Sequence, residues 1–310
     1  MNTLGRTLLG LLLTAGTLAH GENVVYYVPS FDVFSEYLRY PDRPTTEGWR
    51  FWTSRCSVFN AGQEAIDVSV LGLFGPEGPY EVPVPRPMTL GPLESGQLLT
   101  SNDRDIVQFA VIRAPENAVV RAEVERRQLV SSGCGSGAGS GRSADLGEGR
   151  APLPVFREPF PAGATTIMGP VDLGSPRVVT DCVSGYQQHG SRRVNVTLFN
   201  AGGEEAVFLI RSFRMQGDPE PVLEVPVTLG PGRVHQVNGL PIFAAIAESG
   251  APWRPQELAW VTVEATQPFL VYTSTVFIDP EPATLPFQVF PPHPNPIVVP
   301  GRAVRPAPFP

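Results

Sequence analysis

Lysine is missing from this 310-residue chain: all 23 basic residues are arginine. That excludes Schiff-base catalysis, a Walker A phosphate loop and a kinase-type lysine, because each needs the amine itself. Cysteine is scarce, at 3 residues, so at most one disulfide can form within the chain. No two cysteines stand close enough for a zinc-ligand spacing. Charge is sparse as well: 17% of residues are charged, with a formal net charge of −7. An acidic balance leaves no basic footprint for nucleic acid. The apolar run Leu8 to Leu13 is far shorter than the ~20 residues of a membrane-spanning helix. The Gly-x-Ser-x-Gly elbow of serine hydrolases is absent, since Ser136 and Ser140 follow Cys134 and Ala138 where glycine is required.

Glycine and proline are in excess, at 31 and 35 residues. Together they make up about a fifth of the chain against roughly 12% on average, which points to many turns between short strands. Arg6, the run Leu8 to Leu13 and the small residue closing Thr17-Leu18-Ala19 read as a secretory signal over 1–19. The expected mature chain begins at His20, is exported to the periplasm, cell surface or medium, and retains no membrane span. Cys56 lies in an apolar strand pattern, where a buried thiol is expected. Cys134 lies in a flexible Gly/Ser stretch and Cys182 follows the strand-like Arg177-Val178-Val179-Thr180; the two form the candidate disulfide pair.

Self-similarity is the clearest signal. Ser57-Val58-Phe59-Asn60-Ala61-Gly62 matches Thr197-Leu198-Phe199-Asn200-Ala201-Gly202 at an offset of 140, and Thr89-Leu90-Gly91-Pro92 matches Thr228-Leu229-Gly230-Pro231 at 139. Glu81-Val82-Pro83-Val84 and Glu224-Val225-Pro226-Val227 precede those blocks. Three matched blocks in one order imply two copies of one unit. Strands are expected at Arg55 to Phe59, Ala65 to Phe74, Gln97 to Thr100, Val107 to Ile112 and Ala118 to Val124, with alternation repeated in Val194 to Leu198. Such alternation predicts one buried and one wet face. Aligning Ala114 with Ala265 gives an offset of 151, so the second copy carries an insert. Pro241 to Glu248, stopped by Gly250, reads as a short helix that caps an open sandwich end, with a ligand-gating lid as the rival.

The run from Trp52 to Asn60, with Thr228-Leu229-Gly230-Pro231-Gly232 and Gln267-Pro268-Phe269-Leu270-Val271, resembles immunoglobulin-like modules common on exported bacterial proteins. The resemblance covers residues 48–130 and 176–290 and implies non-enzymatic sandwiches. The expected fold is therefore all-β: two tandem immunoglobulin-like β-sandwiches, 20–130 and 151–290, with a flexible Gly/Ser-rich linker at 131–150 and a proline-rich tail at 291–310.

Little chemistry stands out. His189 and His235 lack nearby carboxylates and read as surface residues. Gly139-Ser140-Gly141-Arg142-Ser143-Ala144 matches a dinucleotide fingerprint in letters only, since no strand precedes it. Asn195-Val196-Thr197 is a glycosylation sequon in form. Tyr37, Tyr40, Trp49 and Trp52, interleaved with arginines, are the candidate binding surface for a protein or glycan partner at the cell envelope. No cofactor, metal or catalytic residue is expected. The reading is a non-enzymatic interaction or structural protein. Its rivals are a carbohydrate-binding protein using those aromatics and a hydrolase built from scattered Ser, His and acids.

Overall fold

Alternating apolar and polar side chains favour strands, because successive residues point to opposite faces and one face can be buried. The computed structural model describes residues 22–33, 50–79, 87–100, 106–128, 148–172, 178–180, 187–189, 192–214, 218–250, 258–277, 287–290 and 297–298. It is predominantly β, and its sheets are antiparallel and sandwich-like. The first half contains β1 (Asn23–Val33), β2 (Arg50–Asn60), β3 (Ile66–Gly75), β4 (Gly78–Pro79), β5 (Met88–Leu90), β6 (Ser95–Thr100), β7 (Ile106–Pro115), β8 (Ala118–Gln128) and β9 (Glu148–Leu153). One layer runs β5-β3-β7-β1 and the other β6-β2-β8-β9, joined where Val33 and Asp32 of β1 pair with Trp52 and Thr53 of β2. All five strands expected in this half coincide with β2, β3, β6, β7 and β8.

The second half begins with β10 (Ala164–Asp172), followed by the small pair β11 (Val178–Thr180) and β12 (Gln187–His189). It continues through β13 (Arg192–Asn200), β14 (Ala206–Phe213), β15 (Leu223–Leu229) and β16 (Val234–Val237). It ends in β17 (Leu258–Ala265), β18 (Phe269–Phe277), β19 (Phe287–Phe290) and β20 (Ile297–Val298). Its layers run β15-β14-β17-β10-β20 and β16-β13-β18-β19, the same pairing order as the first half with β20 added at one edge. The insert forms α1 (Ile242–Glu248), and Gly250 at φ +71° ends it. Ile242 and Ile246 are buried, and Leu240 N–H donates to Val194 O at 2.9 Å. The helix is thus anchored to the second half by its apolar side and by β13. Among the described residues no helix is long and apolar enough to cross a membrane.

The matched motifs act as turn clasps. Asn60 is fully buried; its Nδ2 donates to the carbonyls of Glu64 (2.7 Å), Leu90 (3.2 Å) and Gly91 (2.9 Å), while its Oδ1 accepts from Gly62 N–H. Asn200 makes the corresponding bonds to Glu204 (2.7 Å), Leu229 (3.0 Å) and Gly230 (3.0 Å), and accepts from Gly202 N–H. One short amide thus satisfies backbone groups of two turns at once, a task that needs both donor hydrogens and the carbonyl of asparagine.

Two expectations need correction. The alternation in Val194 to Leu198 predicts a wet face, yet β13 is buried on both sides from Val194 to Asn200, and β18 from Phe269 to Thr275. The reason is a covered outer face. Phe199 stacks on Phe109 of β7, with centroids 5.0 Å apart and planes at 16°, and it also meets Phe74 and Tyr27. Tyr272 reaches the same Phe109. The outer face of β1, β3 and β7 thus packs against that of β13 and β18, and one apolar core spans both halves. The sequon lies on this strand: Asn195 is 3% exposed and accepts Gly239 N–H, so the folded chain offers it no route to a glycan.

The connection between the halves also differs from the expected position. The Gly/Ser-rich stretch itself, Cys134 included, lies outside the described residues, but it joins β8 to β9, two paired neighbours of one sheet. Residues 148–150 of the expected linker, and 151–153 beyond it, form the edge strand β9. The crossing is made instead near Phe156, which exchanges backbone hydrogen bonds with Tyr27, and Phe160, which exchanges them with Phe269.

Candidate functional site

Among the described residues, the outer face of the β14-β17-β10 sheet gathers aromatic and charged side chains. Inward-pointing Phe208, Ile210, Ser212, Val261 and Val263 are buried, so their alternates project outward. Register then places Phe213 opposite Trp260, Arg211 opposite Thr262 and Leu209 opposite Glu264. On the other side of β17, Thr165 lies opposite Glu264, Ile167 opposite Thr262 and Pro170 opposite Trp260. Leu209, Phe213, Trp260 and Ile167 are all partly exposed.

Arg211 organises the polar centre of this face. Its Nη1 donates to Glu264 Oε2 at 2.5 Å and its Nε to Glu224 Oε2 at 2.9 Å. Thr165 Oγ1 donates to the second oxygen of Glu264 at 2.9 Å. Burial alone would lower the Arg211 pKa, but the hydrogen bonds and charges of Glu224 and Glu264 outweigh it and hold the guanidinium above its ordinary range. The Glu264 side chain is 7% exposed and that of Arg211 22%. A carboxylate this shielded needs its partners, because an uncompensated buried charge is costly. The cluster has fixed charge and geometry beside an aromatic pair. That composition suits recognition of a surface, whereas an arginine held between two acids is no acid–base catalyst.

Of the residues singled out in the sequence, those described fall elsewhere. Trp52 lies on β2, paired with Val33 and Arg126; Tyr37, Tyr40 and Trp49 lie outside the described residues, as do Cys134 and Cys182. Cys56 is a buried free thiol whose pKa burial pushes up to about 12. His235 is exposed on β16 beside buried Val234, and partial desolvation lowers its pKa. His189 ends β12 opposite Val178. Among the described residues no group of three His, Cys, Asp or Glu side chains is placed to hold a metal ion. Trp260, Phe213, Arg211 and Glu264 were not anticipated, although Trp260-Val261-Thr262-Val263-Glu264 alternates and so carried the signal of an outward aromatic and acid.

No protein-family model matches the chain, and no curated protein or solved structure matches it either.

Proposed function

We propose that the chain is an exported, non-enzymatic interaction or structural protein of the cell envelope or extracellular space, built from two copies of one immunoglobulin-like sandwich. The matching bonds of Asn60 and Asn200, and the matching pairing orders, support the duplication. The outer face of β14, β17 and β10 carries the functional part of the reading. It combines Phe213 and Trp260, partly exposed and opposite one another, with the fixed Arg211–Glu264 cluster, a mixture of aromatic anchor and charge that contact surfaces favour.

The test is comparative. Immobilised mature chain is exposed to envelope extract of its own host and, separately, to insoluble polysaccharides, beside a Phe213→Ala/Trp260→Ala double variant. The expected result is a protein retained by the wild type and lost with the variant. Equal retention by both removes this face from the reading, and face-dependent retention of polysaccharide replaces the protein partner with a glycan.

A further inference from the structure

We infer that the chain stacks head to tail on further copies of itself, an inference that rests on the two-copy reading above and names the partner. The internal junction is heterologous: the first half contributes the outer face of β1, β3 and β7, and the second half contributes that of β13 and β18. Two equivalent faces remain at the ends of the chain, and register matches them to the faces already joined. Phe74 opposite Phe109 corresponds to Phe213 opposite Trp260. Pro29, also opposite Phe109, corresponds to Pro170 opposite Trp260. On the receiving side, Phe199 opposite Leu270 corresponds to Phe59 opposite Val119 of the β2-β8 face.

The remaining faces keep features of a contact. Val119 is 39% exposed, and Phe59, Phe213 and Trp260 are partly exposed. Their charges are complementary. The described side chains of the β14-β17 face carry Glu224 and Glu264 to one arginine, Arg211, whereas those of the β2-β8 face carry Arg55 and Arg121 to one acid, Glu123. A second copy therefore brings apolar side chains and charges of the opposite balance to each end. A heterologous contact whose rotation does not close gives an open linear array. Thr262 stands where the junction has Val111, and Arg121 where it has Tyr272. The contact between copies is thus more polar than the one within the chain, and it is reversible and weakened by salt.

Sedimentation velocity on the mature full-length chain tests this, across a concentration series at low and high salt. The wild type is expected to grow in mass with concentration beyond a dimer, and to shrink in high salt. Val119→Glu spoils one end and Thr262→Arg the other, both on outward positions; each variant alone is expected to be monomeric, with Arg121→Glu replacing Val119→Glu if the latter does not fold. Mixed in equal amounts, the two variants retain one good face each and should form a dimer and nothing larger. A wild type that stays monomeric throughout, a single-face variant that still assembles, or a mixture without dimer overturns the inference. A monomeric wild type that still retains an envelope protein overturns stacking alone and leaves the interaction reading intact.

Discussion

Phe59 and Phe199 occupy the same place in the two matched motifs, at the end of β2 and of β13, yet their surroundings are unlike. Phe199 is 2% exposed beneath Phe109, Phe74 and Tyr27, while Phe59 stays partly exposed on the outside of the first half. Local sequence sets the strand and the direction of the ring. What covers that ring depends on which half stands next to it. Truncation should therefore separate the two positions sharply. Phe199→Ala removes a buried ring and opens a cavity, with an expected loss of about 3–5 kcal/mol in denaturant titration. Phe59→Ala should lose less, about 1–2 kcal/mol, because its ring is only partly shielded. Equal losses would mean that the junction adds nothing to stability.

The clasps should break the contrast in the opposite sense, because Asn60 and Asn200 do the same work in both halves. Asn60→Ala or Asn200→Ala leaves buried turn carbonyls without a donor. Each is expected to cost about 2–4 kcal/mol, since unmade bonds to buried groups carry the full desolvation penalty. Aspartate at either place should fail to rescue, as it cannot donate to the carbonyls of Leu90 or Leu229. A large difference between the two sites would show that one turn pair is held by other contacts.

How much of this was legible depended on distance along the chain. The strands, the α1 insert and the importance of the Asn-Ala-Gly and Leu-Gly-Pro turns follow from local periodicity and turn chemistry, because those forces act over a few residues. Burial of Asn195 and Thr197 was not legible. In sequence they read as a wet face, but Asn195 accepts Gly239 N–H from 44 residues further on, Thr197 meets Gln236, and Phe109 of the first half covers Phe199 and Tyr272 on the same face. The crossing at Phe156 and Phe160 was hidden for a related reason: glycine and serine mark a loop, but not which elements the loop joins. The Arg211–Glu264 pair was missed because its partners lie on separate strands, whereas the aromatic cluster at Tyr37 to Trp52 drew attention through its density alone.

The β5–β6 and β15–β16 turns offer a finer comparison. Leu93 adopts φ 57° and is 72% exposed, while its counterpart Gly232 has φ 66° and lies against Phe74. Left-handed backbone is thus required in both, but room for a side chain exists only in the first half. A Cβ at position 232 would stand 3.1 Å from Phe74 Cδ1. Gly232→Leu should therefore push Phe74 away from Phe199 and cost about 1–3 kcal/mol. Leu93→Gly relieves left-handed strain but frees the unfolded chain, so its net change should stay under ~1 kcal/mol. Chemical denaturation of the two exchanges measures the asymmetry, and equal effects would place the Gly232 turn outside the junction.

The smallest effect at neutral pH is expected where the halves differ chemically but not in packing. Cys56 corresponds to Val196, and both are buried, at 3% and 0% exposure. Since a buried thiol packs as a small hydrophobe, Cys56→Val should change stability by less than ~1 kcal/mol at pH 7. The difference should grow in alkali. Burial raises the Cys56 pKa from 9.0 to about 12, because the folded interior disfavours the thiolate. The unfolded chain therefore ionises first, and the stability of the neutral thiol, complete below pH 9, is lost as pH rises towards 12. Valine has no such proton to lose. Parallel denaturant titrations from pH 7 to alkaline pH should show the wild type falling progressively below Cys56→Val. Curves that stay parallel would mean that the thiol is no better shielded in the folded chain than in the unfolded one, and that the interior of the first half is open around Cys56.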